Sequence, residues 1–419
     1  MTAPGALPPS PRDASRSRIG LALAGGGPLG AIFEIGALCA LEEVLRGVDF
    51  TRMDGYVGVS AGGFICAGLA NGMTPRRMCM AFIENVGGAD DLVDPGMFVH
   101  PAWHEYAARL KILPATLAQV AWHLANGTAT SVEIAERLGH LLPTGVFSNA
   151  PIENHLREVF SAPGRTDDFR QLGKRLVLVA TDLDTGTVAP FGLPGWDDIP
   201  ISRAVAASAA LPGLYPPVKI GTRHYVDGAL RKTLHARVLL DQGTDLILCI
   251  NPLVPFDASP LGARGTGSIG RIPKLVEGGL PLVASQSFRS LIHSRMELGL
   301  KGYGMSHPDV DIALFEPEHH DAEMFGANTF SYSTRRRLAE HAYQTTRHQL
   351  RERRHALKPM LARHGIVLDD RVLDDARRQL VAAPPRRATR TEPERRGLGG
   401  ALDRLDLVLD QLEDLLQAA

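Results

Sequence analysis

The sequence predicts an α/β fold, and three observations predict it. Twice a short apolar strand runs through a glycine turn straight into a helix: Ile19–Ala24 into Ala31–Leu45, and Tyr56–Val59 into Ala61–Asn71. Further short apolar strands follow, one ending at Val226 and one spanning Leu246–Ile250, so strands and helices alternate instead of forming separate blocks. With 419 residues the chain can bury a large core, as one α/β domain with insertions or as two or three smaller units.

A formal net charge of −1 argues against a general nucleic-acid binder. Cys39, Cys66, Cys79 and Cys249 stand singly in apolar stretches without metal-ligand spacing, the pattern of reduced core thiols in a cytoplasmic protein rather than of disulfides. No metal and no cofactor is expected.

Taken in order, residues 1–17 are rich in Pro, Ala and Ser and read as a disordered leader. Arg16 and Arg18 before Ile19–Phe33 imitate a signal peptide, but cleavage there would discard the glycine loop that follows the first strand. Ile19–Leu41 is nearly free of charge, yet Glu34 and the glycines favour a buried strand and helix over a membrane span.

The loop Gly25-Gly26-Gly27-Pro28-Leu29-Gly30 joins the first strand to its helix. Consecutive glycines leave backbone N–H groups free to face an anion, whereas Pro28 has no N–H and suits the first helical turn. The same letters satisfy G-x-G-x-x-G through Gly25, Gly27 and Gly30, with Asp49 and Asp54 roughly 20 residues on, where a ribose-binding acid would stand. Dinucleotide binding is therefore one competing reading. The second strand leads into Gly58-Val59-Ser60-Ala61-Gly62, the pattern of a nucleophile elbow, in which Gly58 and Gly62 leave room for a sharp turn about Ser60.

A third motif is Tyr225-Val226-Asp227-Gly228-Ala229, an aspartate that ends a short strand. A GGGxxG loop, a GxSxG elbow and a later DG(A/G), in that order, resemble the patatin-like phospholipases, serine lipid acyl hydrolases with a Ser/Asp dyad. Leu176–Thr187 and Ala206–Val218 fit the same resemblance, which covers Ile19 to Pro252 and continues more faintly toward Leu350. It implies a patatin-like three-layer α/β/α sandwich with a mostly parallel central sheet, a helical cap insertion and a C-terminal helical extension. The catalytic domain would span 18–332 with the cap at 89–150. One departure is Leu29, where many relatives carry Arg or Lys; the glycine N–H groups are then left with more of the oxyanion to stabilise.

The expected chemistry is metal-independent acyl transfer. A serine hydroxyl needs a base, and Asp227 would take the Ser60 proton directly, without an intervening histidine. A carboxylate of ordinary pKa, ~3.9, is a weak base, so the site must stabilise the oxyanion strongly and exclude water. Gly26 and Gly27, with Gly25 and the Ala61 N–H, are the oxyanion-hole candidates; losing one such donor typically costs ~10²–10³ in rate. Gly30, Gly58, Gly62 and Gly228 shape the three turns, and the positive end of the elbow helix lies beside Ser60.

Between residues 89 and 150 the α/β rhythm pauses, and Trp103–Leu142 reads as apolar helices that hold Trp103 and Trp122. They would shape an acyl pocket or dip into a lipid interface; the alternative is ordinary packing, which Ala, Leu and Trp in a helix usually mean. Pro252–Pro273 reads as a long Gly/Pro/Ser-rich loop. Residues 333–383 form a basic helical extension in which nine Arg and Lys, from Arg335 to Arg363, face only Glu340 and Glu352, so an anionic membrane surface, a phosphate-bearing substrate or a solvated helix with counter-ions elsewhere would suit it. His341, His348 and His355, and the acidic and histidine residues from Glu316 to Glu323, have no metal-ligand spacing and read as surface. Residues 384–400 read as a Pro/Arg/Gly linker, and 401–419 as a helix with a heptad seam of Leu402, Leu405, Leu409, Leu412 and Leu416 that calls for a second copy, a protein partner or the basic helix.

The chain is thus expected to be a cytoplasmic lipid acyl hydrolase acting on a lipid ester, with peripheral contact to a membrane or lipid body and no nucleic-acid partner. Two alternatives share its motifs. An acyltransferase would use the same intermediate, and a catalytically silent scaffold would act through the heptad helix.

Overall fold

Alternate residues along the central strands enter two different cores. In the computed structural model, which describes residues 16–87, 93–126, 130–232, 234–259, 275–325 and 332–381, Leu21 and Leu23 of β1 (Ile19–Leu23) join one apolar cluster and Ala22 joins another. β3 (Gly55–Gly58), β4 (Leu176–Asp182) and β8 (Leu246–Ile250) divide their side chains in the same way. This is why these strands read as continuous apolar runs: a parallel sheet covered on both faces has no polar side.

Eight strands form the sheet, in the order β6 (Val218–Ile220), β7 (Arg223–Asp227), β4, β3, β1, β8, β9 (Asp311–Phe315), with β5 (Val188–Phe191) also paired to β4. From β4 to β9 every pairing is parallel, and β5, β7 and β6 add an antiparallel margin. A separate two-stranded pair joins β2 (Leu45–Arg46) to β10 (Val367–Leu368).

On one face lie α1 (Gly27–Val44), α2 (Ala61–Ala70), the short α3 (Pro75–Met78), α6 (Ala150–Phe160) and α7 (Ile201–Ser208). The other face is covered by α8 (Arg237–Asp241) and α9 (Gly279–Ser306), whose Ile292, Met296 and Tyr303 pack on the strands. The fold is therefore a three-layer α/β/α sandwich with a mostly parallel sheet. Both cluster memberships and the near-total burial of α1 explain the charge-free stretch from Ile19 to Leu41 without a membrane span. Among the described residues no helix is long and apolar enough to cross a membrane. The four cysteines are buried and unpaired.

Three sequence readings require correction. α4 (Trp103–Ala125) and α5 (Ser131–Gly139) form the insertion, but α4 is not packed as core: Trp103, Leu110, Leu117 and Leu124 recur every seven residues and all are exposed, as is Trp122 at 70%. The basic stretch is not a solvated face either. α11 (Tyr332–Glu352) lies along α1, so closely that a Cβ on Gly36 would stand 2.5 Å from the Ala339 carbonyl oxygen. Arg335 and Arg347 are buried, and Arg347 donates to the carbonyls of Val372, Leu373 and Asp375 in and beside α13 (Asp370–Asp374). Arg354 and Lys358 of α12 (Arg354–Arg363) pair with Asp374 and Asp370, and Arg363 with Asp311 at 2.7 Å. Counter-ions are indeed supplied from elsewhere in the chain, as one reading of this stretch expected, but Arg335 and Arg347 lie in the core rather than in solvent. Likewise Asp321, just before α10 (Ala322–Phe325), is a nearly buried partner of His341 at 2.8 Å rather than a surface residue.

Apart from Arg16 and Ser17, the leader lies outside the described residues. So do residues 260–273 of the Gly/Pro/Ser-rich loop, the linker 384–400 and the heptad helix 401–419 with Leu402, Leu405, Leu409, Leu412 and Leu416.

Candidate active site

Three turns meet where β1, β3 and β7 end. Parallel pairing of β1 with β3, in register from Gly20 and Gly55 to Leu23 and Gly58, sets the glycine loop beside the elbow. Open α/β sheets bind ligands at these carboxyl ends. β7 runs the opposite way against β4, with Asp227 opposite Ala180, and so delivers its last residue to the same place.

Ser60 has φ 52 and ψ −119, a backbone that non-glycine residues rarely adopt and that stores on the order of 1–3 kcal/mol. The turn is held by contact on all sides. A Cβ on Gly62 would stand 2.5 Å from the Ala24 carbonyl oxygen, and one on Gly58 would stand 2.6 Å from that of Gly62. The Ser60 N–H donates to Ser208 Oγ at 2.8 Å, and Ser208 in turn donates to the Val179 carbonyl at 2.6 Å. Ser208, on α7, is a positioning residue that no sequence motif singled out; it lies within Ala206–Val218, a stretch matched only as a whole.

Asp227 is 3% exposed and Ser60 6%. The Asp227 carboxylate accepts from the Ala229 N–H at 2.8 Å and lies close enough to the Ser60 hydroxyl to feel it. Burial pushes its pKa up to about 6, against the pull of the Ala229 N–H and the Ser60 hydroxyl. This removes part of the difficulty posed by an ordinary carboxylate, since a base of higher pKa takes the proton more readily. The Thr181 hydroxyl fixes the Asp227 carbonyl at 3.2 Å, and Gly228 passes so close to β4 that a Cβ would meet the Val179 carbonyl oxygen at 2.2 Å. His224, three residues before Asp227, is no part of the site; it is half-exposed and stands 3.7 Å from Asp184.

The glycine loop closes on the elbow from the other side. A Cβ on Gly25 would stand 3.2 Å from Ser60 Cβ, tight enough that a side chain there would press the loop away from the elbow. Gly26 precedes α1, Gly27 has φ 60 and opens it, and the Gly30 N–H is already used by the Gly26 carbonyl at 2.9 Å. Among the described residues, the N–H groups of Gly25, Gly26, Gly27 and Ala61 have no hydrogen-bond acceptor. The structure thus brings Ser60, Asp227 and these candidate donors to one place. Leu29 lines a small cavity beside the loop, together with Pro252, Arg289 and Phe325.

The dinucleotide reading fails on geometry. Asp54 accepts from the Ile19 N–H at 2.8 Å, which places it at the start of β1, about 16 Å of strand from the loop at its end. Asp49 is taken up by its own turn, accepting from Thr51. Among the described residues no three His, Cys, Asp or Glu side chains gather as a metal site.

A family model described as patatin-like phospholipase matches residues 21–240. The uncharacterized protein YqhO of Bacillus subtilis (strain 168) is 32% identical over 217 residues, which cover 49% of this chain and 61% of that protein; the chain thus spans less than two thirds of this relative's length. Among solved structures, VipD from Legionella pneumophila aligns with a TM-score of 0.37 at 16% identity, over 84% of this chain and 71% of VipD. The type III effector ExoU of Pseudomonas aeruginosa aligns with a TM-score of 0.32 at 17% identity, over 80% of this chain and 53% of its own. Both structural likenesses are loose.

Proposed function

We propose, from the premise that this chain belongs to the patatin-like phospholipase family, that it hydrolyses carboxylic esters of lipids through an acyl-enzyme on Ser60. The observation that carries this reading is the buried contact between a strained serine and an aspartate of raised pKa, beside four unused backbone donors. Ser60 Oγ attacks the ester carbonyl while Asp227 takes its proton. Negative charge that develops on the carbonyl oxygen is met by the N–H groups of Gly26 and Gly27, with Gly25 and Ala61 completing the hole. The leaving alcohol departs with the proton from Asp227. Water then gives its proton to the same carboxylate and attacks the acyl-enzyme, which releases the fatty acid and regenerates Ser60. Gly30, Gly58, Gly62 and Gly228 act through backbone shape alone.

Substrate reaches the site from a lipid interface in this reading. The dyad is almost closed to solvent, and the insertion that presents the exposed Trp103, Leu110, Leu117 and Leu124 is tied to the segment beside Asp227. Its Val146 and Phe147 N–H groups donate to the carbonyls of Gly213 and Leu214 at 3.3 and 2.8 Å, and the Asp227 N–H bonds the Ala210 carbonyl at 3.0 Å.

The test is labelling with a fluorophosphonate probe, with and without lipid micelles, followed by mass mapping. An adduct on Ser60 that is absent from Ser60→Ala supports the reading, and a lipid panel then finds the substrate. No adduct under either condition would sink it in favour of the silent scaffold. Ser60→Ala and Asp227→Asn are expected to abolish turnover, and chelators to leave it unchanged.

A further inference from the structure

Away from the dyad, the buried imidazole of His235 carries a ring nitrogen without a hydrogen-bond partner. His235 is 6% exposed, its φ is 43, and its Nε2 has no hydrogen-bond partner among the described residues. Burial, with Lys232 and Arg231 adding to it, pushes its pKa down to about 4, so the ring is neutral at pH 7. A buried polar atom left unmatched is costly, which makes it a place where a ligand atom gains.

The ring lines a cavity of about 490 Å³. This lies within the usual range for small-ligand sites, roughly 300–1,000 Å³. Arg231, Lys232, Arg237 and Arg295 line it too, all four exposed to solvent, and its one carboxylate, Asp241, stands 3.5 Å from Arg237. Arg295 reaches in from α9 and is fixed by donating to the Leu230 carbonyl at 3.0 Å. Neither Ser60, Asp227 nor the glycine loop lines this cavity.

We propose that the cavity binds a phosphate-bearing anion, with its oxygens held by Arg231, Lys232 and Arg295 at the mouth and one oxygen hydrogen-bonded to His235 Nε2 at the floor. Phosphate suits this arrangement better than a carboxylate. Its tetrahedral oxygens can meet several cations from different directions at once and still leave one to accept from the imidazole N–H. The phosphate is carried either by a soluble ester or by a lipid headgroup, and the chemistry of recognition is shared. The frame of the site is the segment after the dyad aspartate: the Gly228 carbonyl accepts from the Arg231 and Lys232 N–H groups at 3.1 and 3.4 Å and lies against the His235 ring. The proposal does not depend on the acyl-hydrolase reading.

The experiment is thermal unfolding of the full chain at constant ionic strength as potassium phosphate replaces potassium chloride, run beside flotation with phosphatidylcholine vesicles that contain or lack phosphatidic acid. A saturable rise in Tm is expected with phosphate and not with chloride. Joint Arg231→Gln and Arg295→Gln substitution, both at exposed positions, should weaken the apparent affinity about tenfold or more. His235→Asn, which tolerates the left-handed backbone, should act in the same direction. Flotation that needs phosphatidic acid and is lost in the double variant assigns the lipid source; a saturable phosphate effect without such flotation assigns a soluble ester. If neither the phosphate effect nor the flotation depends on Arg231 and Arg295, the proposal is overturned. Fluorophosphonate labelling of Ser60 should be the same in the double variant and the wild type, so the two readings fail separately.

Discussion

Asp227 takes its character from burial. Its unfolded pKa is ~3.9, whereas in the fold it is about 6. As pH rises the unfolded chain therefore releases this proton first, so the buried carboxyl progressively costs stability between those two values and costs most above them. Asp227→Asn is accordingly expected to raise Tm at pH 8 while abolishing turnover, with the Tm gain vanishing toward pH 3. In wild type, kcat/KM for a soluble ester should rise through an apparent pKa near 6 as the base form appears. A profile flat from pH 5 to 8 would remove Asp227 from that role. Ser208 acts on the nucleophile at one remove. Ser208→Ala leaves the Ser60 N–H and the Val179 carbonyl unmatched in the core. Expected are a loss of about 1–3 kcal/mol in stability and a fall in kcat with KM little changed, because the elbow shifts while the binding surface stays.

At the scale of elements, the basic helix is bound into the fold by its own cations. α11 packs its Leu338, Ala339, Ala342 and Tyr343 into the core shared with α1, and Arg347 caps three carbonyls around α13. Arg347→Ala strands those carbonyls and leaves a void, so urea unfolding should show a loss of about 3–5 kcal/mol. An exposed Arg such as Arg337, which pairs with Glu323 at 3.1 Å, should contribute far less by the same measurement. The glycine loop and elbow, by contrast, owe their shape to backbone contact: each glycine at Gly25, Gly58 and Gly62 stands where a methyl group would meet another chain segment. These elements were legible from letters alone because such contacts favour glycine.

Over the whole molecule, the insertion is the part that faces outward. Its seven-residue stripe and the exposed Trp122 present apolar surface that a soluble core would have taken in. Trp103→Ser with Trp122→Ser is expected to weaken partition onto phosphatidylcholine vesicles by about thirtyfold, at ~1 kcal/mol for each partly buried tryptophan. Hydrolysis of a soluble ester should be unchanged; equal partition of variant and wild type would leave the stripe without a lipid role.

What the sequence determined by itself was the α/β class, the three turns of the candidate site and their order. Apolar periodicity and close-packed glycines are local properties, written where they act. Only the tertiary structure decided which charges were paired, because Arg347 meets Val372 and Leu373, and Arg363 meets Asp311, across separations that no window along the chain spans. It likewise turned α4 outward, where composition alone suggested a core helix. It raised the Asp227 pKa through desolvation, and it separated Asp54 from the glycine loop by the length of a strand. Burial and distance belong to the folded chain, and the chemistry proposed for Ser60 rests on both.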